Sequence, residues 1–114
     1  MEDCIFCKIV NREAPATIVY EDDISIAFRD IKPQAPTHIL IIPKRHIRTV
    51  VESTEEDKPL LGHLIYVANI IAKKEGISQR GFRLVINCGL QSGQTVWHIH
   101  FHLLGGRRMT WPPG

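Results

Sequence analysis

Three histidines at alternating positions, His98, His100 and His102, are the residues whose types and spacing most directly suggest chemistry. If Val96 to Leu104 is a strand, successive side chains leave on opposite faces. Trp97, Ile99, Phe101 and Leu103 then make one face apolar, and the three imidazoles line the other. Neighbouring imidazoles on such a face stand about 7 Å apart, close enough to share one ligand. With six histidines in 114 residues, chance produces this alternation in roughly 2% of such chains, which favours a functional origin. Imidazole is a nucleophile toward phosphorus, a proton carrier near neutral pH and a zinc ligand. The preceding loop, Asn87 to Thr95, contains Gly89 and Gly93. Its free N–H groups, with Ser92, Gln94 and Thr95, could hold phosphate oxygens. Alone this loop is a weak phosphate signal; beside a histidine row it is a stronger one.

A second constellation is Cys4-x-x-Cys7, a spacing that lets two thiolates share one zinc. Two small buried thiols on a short helix are the plainer alternative. His46 and His98 could complete a Cys2His2 set. Cys88 has no matching partner, and His63 reads as a solvated or packing residue on a helix.

The elements that must position these groups follow from local patterning. Ile5, Ile9 and Phe6 fit one face of a short helix ended before Pro15. Thr17–Tyr20 and Ile24–Phe28 read as a hairpin around Glu21-Asp22-Asp23. A two-proline loop leads to a β-branched strand, His38–Ile42, closed by Pro43. Leu60, Leu64, Val67, Ala68 and Ile71 form the apolar stripe of one long helix stopped at Gly76. Its start is either a Ser53/Glu56 capping box, which places Pro59 inside the helix, or a point near Lys58. Phe82–Cys88 and Val96–Leu104 are the remaining strands, and the tail from Gly105 has no regular period. Strands on both sides of one helix, with short connections, predict an α+β fold with a mainly antiparallel sheet.

Composition narrows the classes. Residues 1–114 suit one domain, and 44% hydrophobic with 23% charged residues argues against disorder. A net charge of +2 is too mild for a nucleic-acid-binding surface. No apolar run approaches a membrane span, and the N-terminus has no secretory leader. Three cysteines, an odd number, speak for a reducing cytoplasm.

His98-Ile99-His100-Phe101-His102-Leu103-Leu104 matches the histidine-triad (HIT) motif at every position, and the resemblance covers nearly the whole chain. Cys4-Ile5-Phe6-Cys7-Lys8-Ile9 looks like the N-terminal signature of many members. Phe28-Arg29-Asp30-Ile31 and Pro36-Thr37-His38 look like the nucleoside-side elements. Gly105-Gly106-Arg107-Arg108-Met109 and Trp111-Pro112-Pro113-Gly114 are similar to the tail of the Hint branch, the purine nucleoside phosphoramidases. The resemblance implies a single HIT-fold domain acting as a homodimer, with the long helix and a sheet edge paired across a two-fold and Trp111 near the partner's site. It implies His100 as the nucleophile on the α-phosphorus of an AMP or GMP derivative, displacing an amine through a nucleotidyl-histidine. His102 and the backbone of Gly93, Gln94 and Thr95 would hold phosphate oxygens, with Asn87 nearby. His98 and His38 would form the proton network. Asp30 would accept from the ribose hydroxyls, and Ile5, Phe6, Ile9, Phe28, Ile31 and Leu40 would line the base pocket. No cofactor is required for this chemistry. HIT relatives with the cysteine pair resemble a zinc site built from Cys4, Cys7, His46 and His98, in which zinc has a structural role. His102 stands where the transferase branch has glutamine, which favours hydrolysis. The loop Cys88-Gly89-Leu90-Gln91-Ser92 and the Cys4/Cys7 pair both depart from the animal Hint proteins. Two other functions remain open here: a zinc hydrolase using His98 and His100 as ligands, and a nucleotide-binding scaffold without turnover.

Overall fold

The computed structural model describes residues 3–114. In chain order the elements are α1 (Ile5–Val10), β1 (Ile18–Glu21), β2 (Ser25–Arg29), β3 (Thr37–Pro43), α2 (Lys58–Lys74), β4 (Phe82–Ile86) and β5 (Phe101–Gly105). The five strands form one sheet in the order β1-β2-β3-β5-β4, every neighbouring pair antiparallel. The α+β architecture expected from the pattern is therefore present.

The two sheet faces have different coverings. α2 packs Leu64, Val67, Ala68, Ile71 and Ala72 against Ile39, Ile41, Phe101 and Leu103. This is the 3.6-residue stripe of a helix meeting the two-residue alternation of strands. On the opposite face α1 lays Phe6 and Ile9 over Ile26, Phe28, Leu40 and Ile42. The i, i+3 pair Phe6 and Ile9 turns inward, so Ile5 is left exposed rather than sharing their face. His102 lies opposite Leu40 in the β3–β5 register, and paired residues share a face. The histidines therefore belong to the α1 side of the sheet.

The second of the two expected helix starts is present, and the capping pair differs from the expected one. α2 starts at Lys58, with Pro59 in its first turn, where the missing N–H has no partner to lose. The N-terminal reciprocal contact involves Thr54 and Asp57, not Ser53 and Glu56: the Asp57 carboxylate accepts from the Thr54 N–H at 2.8 Å. Ser53 instead closes a preceding single turn, its hydroxyl donating to the Val50 carbonyl at 2.6 Å. Gly76 ends α2 with φ +75°, the left-handed geometry that favours glycine. Among the described residues no helix is long and apolar enough to cross a membrane.

Candidate functional site

The last strand is shorter than the alternation suggests. Regular pairing with β3 begins at Phe101, opposite Ile41, and Val96–His100 approaches it as an irregular segment. The cause is Pro43: continuing the ladder would soon meet a residue without an N–H. The segment docks instead through the Ile99 N–H, which donates to the Ile47 carbonyl at 2.8 Å. Alternation of burial survives this change, because Ile99, Phe101 and Leu103 remain in the α2-side core.

The expected row of three imidazoles becomes two plus one. His100 and His102 are neighbours, ring centroids 5.0 Å apart. His98, fully buried, turns toward the N-terminal cysteines. Phe6 stands edge-on to both, 5.9 Å from the His98 ring and 5.1 Å from that of His100.

Backbone partners fix the tautomer of each buried imidazole. His100 Nδ1 lies 2.7 Å from the His98 carbonyl, so Nδ1 carries the proton and Nε2 keeps its lone pair. His98 Nε2 lies 2.8 Å from the Pro43 carbonyl, so Nε2 donates and Nδ1 is the free electron pair. His38 Nδ1 accepts the Gln34 N–H at 3.0 Å, so its proton sits on Nε2. That Nε2 meets His102 Nδ1 at 2.9 Å and Asp30 Oδ2 at 3.4 Å. His102 Nδ1 must then accept, which leaves its proton on Nε2. Burial lowers the pKa of all four, to about 4 for His98 and for His102. The neighbouring imidazoles add to the lowering at His98 and His102. The neutral forms assigned above are thus the ones burial favours.

Among the described residues two groups of side chains come close enough for a metal ion: Cys4, Cys7, His46 and His98, and Asp30, His38 and His102. Their tautomers separate them. In the second, His38 presents an N–H rather than a lone pair to the centre, held so by Gln34, so this group is a hydrogen-bonded relay. In the first, His98 presents Nδ1 with its Nε2–H anchored on a carbonyl, the usual outer support of a zinc-bound histidine. A tetrahedral zinc with Zn–N about 2.05 Å and Zn–S about 2.3 Å places nitrogens about 3.3 Å apart and nitrogen and sulfur about 3.6 Å apart. His46 Nδ1 and His98 Nδ1 are 3.2 Å apart, and Cys4 Sγ and Cys7 Sγ lie 3.5 and 3.6 Å from His98 Nδ1. Cys7 Sγ is 3.2 Å from His46 Nδ1. The four donors fit one zinc ion with little movement. Without metal, burial and then Cys4 push the Cys7 thiol up to about 11.

The remaining sequence-predicted residues divide. Phe6, Ile9, Phe28 and Leu40 come together in the α1-side cluster. Ile31 does not join it; its side chain is 92% exposed next to Asp30. The Asp30 carboxylate accepts from the Lys32 N–H at 2.8 Å and faces His38, keeping further acceptor capacity. Gln94 is buried and its side chain is committed: Oε1 accepts from the Gly89 N–H, and Nε2 donates to the Arg48 and Val96 carbonyls. It braces the loop and has no side-chain donor to spare for phosphate, and its backbone N–H and that of Gly93 are given to the Gly89 and Leu90 carbonyls at 3.4 and 3.1 Å, which corrects the phosphate-holding roles expected of Gln94 and Gly93. Gly93 takes a left-handed conformation (φ +89°) after a single turn at Leu90–Ser92. Asn87 is half-buried and Thr95 exposed on the same loop. Trp111 is exposed, its ring beside the Arg83 guanidinium of β4. Sequence reasoning missed Gln34, whose contribution is a backbone N–H, and the role of His63, whose Nε2 meets Asp22 at 2.7 Å and ties α2 to the β1–β2 turn. Neither carries a sequence signal, since both depend on contacts between distant segments.

A five-stranded antiparallel sheet with buried, tautomer-fixed histidines leading into its last long strand defines a histidine-triad type of protein. The HIT domain family profile matches residues 11–109, and the chain belongs to the HIT family. A HIT-like protein of Synechococcus elongatus is 58% identical over 99% of this chain and 98% of its own length. A 14 kDa zinc-binding protein of Brassica juncea is 53% identical over 98% of this chain and all of its own length. Among solved structures, a HIT family hydrolase from Legionella pneumophila superposes with a TM-score of 0.97 at 55% identity, covering 98% of this chain and 100% of that one. A histidine triad protein from Clostridium difficile gives 0.94 at 45%, covering 96% of each.

Proposed function

We propose that this chain is a single-domain hydrolase of the Hint branch that cleaves the P–N bond of purine nucleoside phosphoramidates through a nucleotidyl intermediate on His100. The observation that carries the reading is the 2.7 Å contact between His100 Nδ1 and the His98 carbonyl, which leaves Nε2 as a nucleophile in a neutral ring. Likeness to the HIT family hydrolase of Legionella pneumophila supports hydrolysis. His100 Nε2 attacks the α-phosphorus and the P–N bond breaks, the amine leaving with the proton that His102 holds on Nε2. The charge this leaves on the His102 ring is offset by the cationic phosphorylated ring of His100, and His38 stays neutral, donating from Nε2 to His102 Nδ1. Water then attacks phosphorus and returns a proton to His102 Nε2, and the P–Nε2 bond breaks to release the nucleoside monophosphate. Two easier displacements replace one difficult one. Asp30 accepts from the ribose hydroxyls, Ile31 and the cluster around Phe28 hold the base, and the Thr95 N–H, with Asn87, faces the phosphate.

Cys4, Cys7, His46 and His98 would hold a zinc ion, a reading supported by the donor spacing and by relatives named zinc-binding proteins in Brassica juncea and Zea mays. When bound, zinc supplies structural support: it fixes His98, whose carbonyl orients His100. The chain acts as a homodimer. β4 is an edge strand, and Ile65 and Tyr66 of α2 and Trp111 of the tail are exposed. The cytoplasm is the proposed location, and neither nucleic acid nor membrane is a partner.

Rapid-quench analysis of an adenosine phosphoramidate labelled at phosphorus tests the reading. Label on His100 during turnover is expected. His100→Ala should lose turnover by several orders of magnitude, with AMP affinity changed less than about threefold. AMP binding without turnover in the native protein would leave a nucleotide-binding scaffold, and turnover abolished by chelator without a labelled histidine would leave a zinc hydrolase.

A further inference from the structure

The eight arginines fall into two sets. Arg12, Arg29, Arg45 and Arg48 each meet a carboxylate, from Glu21, Glu75, Asp57 and Glu52. Arg80, Arg83, Arg107 and Arg108 meet none among the described residues, and they gather where the α2–β4 connection meets the chain leaving β5. Arg80, Arg107 and Arg108 line one cleft of about 450 Å³, together with Gly76, Ile77, Gly81 and Gly106. Arg83 is on adjoining β4, opposite Leu104. Among the described residues no acidic side chain lines the cleft. Glu75, the nearest in sequence, is held at 2.9 Å by Arg29. Uncompensated like charges repel, so this arrangement is stabilised by any anion that enters it.

We infer that this cleft is an anion site, separate from the histidines, for an inorganic diphosphate or a longer phosphate chain. Arg107 is set in place by two carbonyls: Nε donates to Gln34 at 2.9 Å and one terminal nitrogen to Arg108 at 3.0 Å. A guanidinium has five N–H donors, so three remain in a fixed fork suited to phosphate oxygens. Gly76 and Gly81 border open space: a Cβ on either would meet nothing within 4 Å. Both also have positive φ, which disfavours a side chain there. Three arginines lining one cleft match the multiple charges of a diphosphate better than the single phosphate of a nucleoside monophosphate. The lining contains no aromatic ring for a base to stack on, so the phosphate chain alone is the ligand.

Arginine side-chain NMR of the full chain, titrated with pyrophosphate, tests this. Saturable shifts of the Arg80, Arg107 and Arg108 Nε–H signals are expected, weakening as salt rises. Arg80→Gln with Arg108→Gln should weaken binding at least about tenfold, while Arg12→Gln with Arg48→Gln, the same loss of charge elsewhere, should change it less than about threefold. ADP should shift the same signals no more tightly than pyrophosphate. No saturable shift, an equal loss in both double variants, or much tighter binding of ADP at these arginines would overturn the inference. All three readouts are independent of turnover at His100.

Discussion

His38 Nε2 and His102 Nδ1 face each other at 2.9 Å, and only one direction of proton donation satisfies both rings. The Gln34 N–H occupies His38 Nδ1, so His38 donates and His102 accepts. His38 is thus a positioning residue that holds the His102 proton on Nε2. His38→Ala removes that constraint and should lower kcat about 10²- to 10³-fold, a general acid–base effect, with a much smaller change in KM. His38→Asn keeps a donor in reach of His102 and should recover part of the loss. Steady-state kinetics on both variants reads the split between kcat and KM. An equal loss in the two variants would mean that His38 acts only by filling space.

The four donors at the start of the chain give a metal prediction. Protein prepared reduced and without chelator should carry about one zinc per chain, and Cys4→Ser or His46→Ala should reduce that several-fold. A ligand that binds only the folded state stabilises it, so chelation should lower the melting temperature of the native protein and leave that of the variants nearly unchanged. Elemental analysis with paired thermal melts measures both.

Part of this site was legible in the sequence and part was not. His-x-His-x-His is a local pattern, and alternation of burial through Ile99, Phe101 and Leu103 follows from it. The departure of His98 from the row has no local cause. It depends on the Pro43 carbonyl and on thiols more than 90 positions away. The boundaries of α2 show the same division: the stripe from Leu60 to Ile71 located the helix, while competition between Ser53 and Thr54 for the cap was settled by where Val50 and Asp57 lie. Gln94 reads as a phosphate ligand by composition. Only the three-dimensional arrangement of Gly89, Arg48 and Val96 shows that its side chain is already fully used.

Asp22 provides a pH-dependent prediction away from the histidine pair. Burial opposes ionisation of this carboxyl, but hydrogen bonds from the Ile24 N–H, Ser25, the Tyr20 hydroxyl and His63 outweigh it and hold the pKa well below the usual carboxylate range. The folded state therefore binds this proton less readily than the unfolded chain does. Its stabilising contribution is complete above the unfolded-state value, about pH 4, and is lost as pH falls further. Asp22→Asn should cost about 1–3 kcal/mol at pH 7, and the gap to the native protein should narrow below about pH 4. Urea denaturation across this range measures it. A gap that is constant with pH would show that geometry, rather than charge, is what Asp22 contributes.

The brace formed by Gln94 separates stability from catalysis. Its amide oxygen holds the Gly89 N–H at 2.9 Å, and its nitrogen reaches the Arg48 and Val96 carbonyls at 3.0 and 3.1 Å. These three bonds tie the loop before the histidines to the segment after β3. Gln94→Ala takes the partner from three part-buried backbone groups and should destabilise the fold by about 1–2 kcal/mol. It should also release the loop proposed to lie against the phosphate, lowering kcat by about tenfold or more through misplacement of the reacting group. Gln94→Glu discriminates the two effects. It retains the acceptor for Gly89 but turns two donors into an oxygen facing two carbonyls, so stability should fall as much as in Gln94→Ala or further. If the Gly89 contact is what sets the loop, Gln94→Glu should keep more of kcat than Gln94→Ala while being no more stable. Denaturation and single-turnover kinetics on the same samples decide it: turnover that tracks stability across both variants would reduce Gln94 to a packing residue.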